Sequence, residues 1–60
     1  MTVGEYLRRI REEKQISLEQ VSSGTNILVY YLEAIEADNW EQLPSQAQGR
    51  GFARLYAAYL

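Results

Sequence analysis

Sixty residues without a Cys or a His make one domain near the lower size limit for an unassisted apolar core, and they exclude disulfides, Cys/His metal sites and thiol or imidazole catalysis. Six basic and eight acidic residues give a net charge of −2, which argues against a polyanion as the main partner. The longest apolar runs, residues 27–32 and 55–60, fall far short of the roughly 20 residues of a membrane span.

The N-terminus lacks the basic stretch and apolar run of a secretory signal, and a cysteine-free chain suits a reducing compartment, so a cytoplasmic location is expected. The charge is unevenly spread. Residues 15–48 carry Glu19, Glu33, Glu36, Asp38 and Glu41 with no base, whereas residues 49–60 carry only Arg50 and Arg54.

The first predicted helix starts behind Thr2, which with Glu5 has the spacing of a capping box. Val3, Tyr6, Leu7 and Ile10 recur at i, i+3, i+4 and i+7 and predict its inward face. After a break near Gln15-Ile16, Ser17 and Gln20 form a second capping-box pattern opening a short helix. Leu18 and Val21 are its expected buried pair, and Gly24 its expected terminator. The third helix is predicted from Thr25 or Asn26 to about Asp38, with Leu28, Tyr31, Leu32 and Ile35 inward and Val29, Tyr30 and Glu33 outward.

Asp38-Asn39 interrupts the period, and Trp40 and Leu43 are spaced to tuck a loop against the core. Pro44 and Ser45 then open a last helix, in which Phe52, Leu55, Tyr56 and Tyr59 make an apolar stripe and Arg50, Arg54 and Ala57 face away. Gly49 and Gly51 each cost a helix about 1 kcal/mol relative to Ala, and both are read as points of close backbone approach. The periodic run reaches Leu60, so residues 1–60 are expected to be a fragment of a longer protein.

Two short helices joined by a tight turn read as a helix-turn-helix unit within an all-α bundle of four or more short helices. The runs Tyr6-Leu7-Arg8-Arg9-Ile10-Arg11-Glu12-Glu13-Lys14, Ser17-Leu18-Glu19-Gln20-Val21 and Tyr31-Leu32-Glu33-Ala34-Ile35-Glu36 resemble the Cro/repressor-type helix-turn-helix family. Leu43-Pro44 and Arg50-Gly51-Phe52-Ala53-Arg54-Leu55-Tyr56-Ala57-Ala58-Tyr59-Leu60 narrow the resemblance to the RodZ-like cell-shape proteins.

That resemblance implies a cytoplasmic N-terminal domain, without catalysis or cofactor, of a single-pass inner-membrane protein whose membrane segment lies beyond residue 60. It implies a filament of MreB, the bacterial actin homologue, as partner, while the acidic stretch 15–48 makes DNA binding weak or absent. Aromatics on the last helix make the family's partner contact. Phe52 occupies one such position. Four residues earlier, where family members carry Tyr or Phe, this chain has Gln48. Arg50 and Tyr56 complete the implied partner-binding set. Arg11 and Glu36 match positions that pair across the first and third helices in the Cro/repressor-type family.

Residue chemistry sets these expectations against their rivals. In a DNA-binding regulator, the alternative function, Val29, Tyr30 and Glu33 would enter the major groove, yet base edges are read mainly by Arg, Lys, Asn and Gln. Arg8, Arg9 and Lys14 are interleaved with Glu12 and Glu13 and read as a solvated face. The carboxylate pairs Glu12-Glu13 and Glu33-Glu36 lie on helix faces of a chain too small to enclose a substrate. Phe52 has two competing readings, core by periodicity and partner contact by resemblance.

Overall fold

Reciprocal capping boxes decide where the first two helices begin. The Glu5 N–H donates to Thr2 Oγ1 at 3.1 Å and the Thr2 N–H to Glu5 Oε1 at 2.9 Å. Likewise the Gln20 N–H donates to Ser17 Oγ at 3.1 Å and the Ser17 N–H to Gln20 Oε1 at 2.7 Å. Each box satisfies donors that a helix start leaves without intrahelical partners. In the computed structural model, which describes residues 1–60, these starts open α1 (Val3–Glu13) and α2 (Leu18–Thr25), followed by α3 (Val29–Glu36), a single 3₁₀ turn (Trp40–Gln42) and α4 (Gln46–Tyr59). The chain has no strand.

Gly24 does not end α2. The helix runs one residue further, and Asn26 closes it in the left-handed conformation at φ 62°, a role asparagine fills when glycine is absent. Thr25 Oγ1 donates back to the Val21 carbonyl at 2.7 Å and accepts the Ile27 N–H at 3.3 Å. Residues 26–28 therefore form the turn, and α3 starts at Val29 instead of Thr25 or Asn26. It ends at Glu36, because Asp38 takes φ 59°. Ser45 caps α4 by accepting the Gln48 N–H at 3.1 Å, so Pro44 lies outside the helix.

The core is Leu7, Val21, Ile27, Leu32, Ala34, Ile35, Leu43 and Tyr56, with Ile16, Leu18, Tyr31, Phe52 and Leu60 packed at its edge. Three expected stripes are corrected. On α1 the buried face is Gly4 and Leu7, with Ile10 and Arg11 beside them, while Val3 and Tyr6 are exposed. The cause is Gly4, whose missing side chain lets α1 lie directly on the Ile35 and Glu36 carbonyls of α3. In the turn, Ile27 turns inward and Leu28, at the α3 N-cap, is 62% exposed. On α4, Tyr56 is fully buried but Leu55 and Tyr59 are largely exposed, since α4 packs chiefly on α2 and α3 and keeps one side open.

Gly49 is buried, and a Cβ there would approach Leu43 Cδ1 to 2.9 Å. Gly51 faces open space, so the expected close approach exists at one of the two glycines.

Candidate functional site

Three groups of side chains were singled out by the sequence, and the fold treats each differently. Arg11 and Glu36 meet between α1 and α3: Arg11 Nε donates to Glu36 Oε2 at 2.7 Å and Nη2 to Oε1 at 3.3 Å. Arg11 Nη1 also donates to the Ile16 carbonyl at 2.9 Å. The two side chains are 14% and 9% exposed. Tyr56 reaches the same carboxylate from α4, its hydroxyl donating to Glu36 Oε2. The hydrogen bond from Arg11 to Glu36 raises the guanidinium pKa further, and burial followed by the bond to Glu36 pushes the Tyr56 phenol well up. At neutral pH the Tyr56 phenol is therefore neutral and the Arg11 guanidinium charged. The cluster ties three helices together and commits three of the five Arg11 donors within the fold.

Tyr56 is thus corrected as a partner-binding residue. It has no exposed surface, and its hydroxyl is committed to Glu36 within the core. Of the implied set, Gln48 and Arg50 are exposed and Phe52 is half-buried. The Phe52 ring sits 5.6 Å from that of Tyr31, which in turn meets Tyr30 edge-on at 5.5 Å. Phe52 is accordingly neither a full core residue nor a free contact: it packs at the core edge and stays partly exposed.

The outward face of α3 presents Tyr30, 56% exposed, with exposed Leu28 and Glu33 and partly covered Val29. None of these supplies the paired donor and acceptor that adenine recognition requires, or the bidentate donor for guanine. Arg8, on α1, pairs with Glu12 at 3.2 Å across a solvated helix surface.

The sequence did not point to a cleft, and the fold forms one of about 400 Å³ between the 3₁₀ turn and α4, lined by Trp40, Leu43, Ser45, Gln46, Gly49 and Arg50. Leu43 is buried as expected, but Trp40 remains 36% exposed along this cleft and is not wholly a packing residue. The available signal was Gly49, whose bare backbone admits the turn. No group of three or more His, Cys, Asp or Glu side chains is gathered in a way that would hold a metal ion.

Comparison with known proteins comes down on the same architecture. The family described as helix-turn-helix domain matches residues 6–60. The cytoskeleton protein RodZ of Streptococcus pneumoniae (strain ATCC BAA-255 / R6) is 43% identical over 56 residues, covering 93% of this chain and 20% of that relative. The chain thus spans a fifth of the relative's length. No solved structure matches the chain.

Proposed function

The chain belongs to the helix-turn-helix domain family, and from that premise we propose that it is a non-catalytic interaction module of a RodZ-like cytoskeletal protein. It docks on an actin-like MreB filament through the N-terminal half of α4, with Gln48, Arg50 and the exposed part of Phe52 as contacts. The observation that carries this reading is the chemistry of α3. Where a repressor inserts donors into the major groove, this chain exposes Leu28, Tyr30 and Glu33, a surface suited to protein and repelled by phosphate. Similarity to a cytoskeleton protein over 93% of the chain supports the same choice.

No helix of the chain is long and apolar enough to cross a membrane. In this reading the domain works at the cytoplasmic face of the inner membrane, anchored by a segment beyond residue 60. Co-sedimentation with polymerised MreB tests the proposal. The chain pellets with filaments, and Phe52→Ala weakens that association by about tenfold or more, the scale of an interface aromatic. A Phe52→Ala chain that stays folded and pellets like the parent would remove Phe52 from the interface.

A further inference from the structure

The cleft between the 3₁₀ turn and α4 contributes only Arg50 to the docking reading above. Its floor is Leu43 and the backbone of Gly49, its wall is the part-exposed indole of Trp40, and its rim carries Arg50 with Ser45 and Gln46. The chain's ion pairs are Arg8–Glu12 and Arg11–Glu36, which leaves the exposed Arg50 guanidinium without a carboxylate. From these observations we infer that the cleft is an anchor pocket for an acidic segment of a protein partner. An apolar side chain of that segment lies against Trp40 and Leu43, and a neighbouring carboxylate pairs with Arg50.

Charge selects this occupant. The α4 sequence contains no acidic residue, and its charged groups are Arg50 and Arg54, both exposed. The stretch from 15 to 48 contains five acidic residues and no base. An acidic segment therefore meets attraction at Arg50 and Arg54 and repulsion at the carboxylates of the 15–48 stretch, none of which lines the cleft, and this orients its approach. Glu41 is the one acidic residue on the turn itself, and it does not line the cleft. A planar guanidinium takes a carboxylate through two parallel donors, and the part-exposed Trp40 indole lines the same cleft. A lipid headgroup would engage the arginine but leave the apolar floor uncovered. The inference rests on α4 as the docking helix and specifies what that helix recognises.

Trp40 is the only tryptophan, so its emission reports directly on the cleft. The probe is a blocked pentapeptide with a central phenylalanine flanked by aspartate and glutamate residues, compared with its asparagine and glutamine isostere. The acidic peptide should shift Trp40 emission saturably. Binding should weaken by about tenfold or more for the isostere and for Arg50→Glu, the scale of losing a charge-assisted pair. Arg50 is exposed, and a circular-dichroism melt verifies that its reversal leaves the fold intact. Equal response to both peptides, undiminished binding by Arg50→Glu, or a preference for an oligonucleotide or for phosphatidylserine vesicles would each overturn the inference.

Filament co-sedimentation of the same variants separates this inference from the proposed function. Acid-dependent, Arg50-dependent emission without pelleting keeps the pocket and removes MreB as the partner. Pelleting that depends on Phe52 but not on Arg50 keeps the docking helix and removes the pocket.

Discussion

Glu36, on α3, is reached from two other helices, by Arg11 on α1 and Tyr56 on α4. Removing either charge leaves the other partly buried without its partner, and such a loss costs about 3 kcal/mol. Arg11→Ala and Glu36→Ala should each reach that scale in urea unfolding. The double variant should lose less than the two losses summed, with a coupling of about 1 to 3 kcal/mol; a coupling near zero would mean that water already screens the pair. Tyr56 adds a pH dependence of defined sign. Its phenol is raised in the native state, so above the ordinary value of about 10 the unfolded chain releases a proton that the folded chain retains. Stability is complete below that value and falls as pH rises past it. Melts between about pH 8 and 11 should show this decline, and Tyr56→Phe should flatten it while costing about 1.5 kcal/mol at neutral pH for the lost bond to a carboxylate.

Between elements, α1 crosses closely over the C-terminal end of α3. A Cβ at Gly4 would run into the Ile35 and Glu36 carbonyl oxygens and lie 2.9 Å from an Asp38 carboxylate oxygen. The Asp38 carboxylate also accepts the Gly4 N–H at 3.3 Å and the Thr2 hydroxyl, where the positive end of the helix dipole favours an anion. Backbone atoms cannot move aside as a flexible side chain does. Gly4→Ala should therefore destabilise the chain by about 2 kcal/mol, although alanine propensity alone would stabilise the helix by about 1 kcal/mol. Gly51, also helical and facing open space, gives the opposite sign. Gly51→Ala should stabilise by about 0.5 to 1 kcal/mol, raising the melting temperature by about 2 to 8 °C for a domain of this size. Melts of both variants that moved the same way would contradict the packing described for α1 and α4.

At the level of the whole molecule, a helix-turn-helix scaffold keeps its geometry while the groups that would read DNA are missing. Duplex DNA should bind weakly and without sequence preference, and the binding should vanish as salt approaches about 0.15 M. Selection from a random duplex pool decides this: a defined site bound near 10⁻⁸ M, about the affinity of a specific regulator, would end the interaction-module reading. Phe52 joins stability to function on this scale. Its half-buried ring packs on Tyr31, so Phe52→Ala should cost about 1 to 3 kcal/mol, less than the roughly 3 to 5 kcal/mol for a fully buried ring. Thermal melts measure that loss, and a larger one would assign the whole ring to the core.

Helix class and order, and the starts of α1, α2 and α4, were legible in the residues, because caps act locally, whereas α3 has no side-chain cap and its start was misplaced. Thr2 with Glu5, Ser17 with Gln20, and Ser45 each satisfy their own helix within three residues, whatever packs above. Which face turns inward was less legible. On α1 the buried position is a glycine, invisible to apolar periodicity, and the phase of the helix follows the α3 carbonyls that only tertiary packing brings to Gly4. Ile27 and Leu28 are chemically near equals, and the left-handed turn at Asn26 sends one inward and the other out. The α4 stripe overstates its burial because no neighbouring helix covers Leu55, and Tyr59, though its ring lies against Gly24 of α2, keeps its other side exposed. Tyr56 passed from expected contact to core for the complementary reason, that Glu36 lies twenty residues away in sequence but within hydrogen-bond reach. The cleft required the fold entirely: Trp40 and Arg50 are read separately along the chain, and only the packing of the 3₁₀ turn onto Gly49 puts an indole and an unpaired guanidinium on one surface.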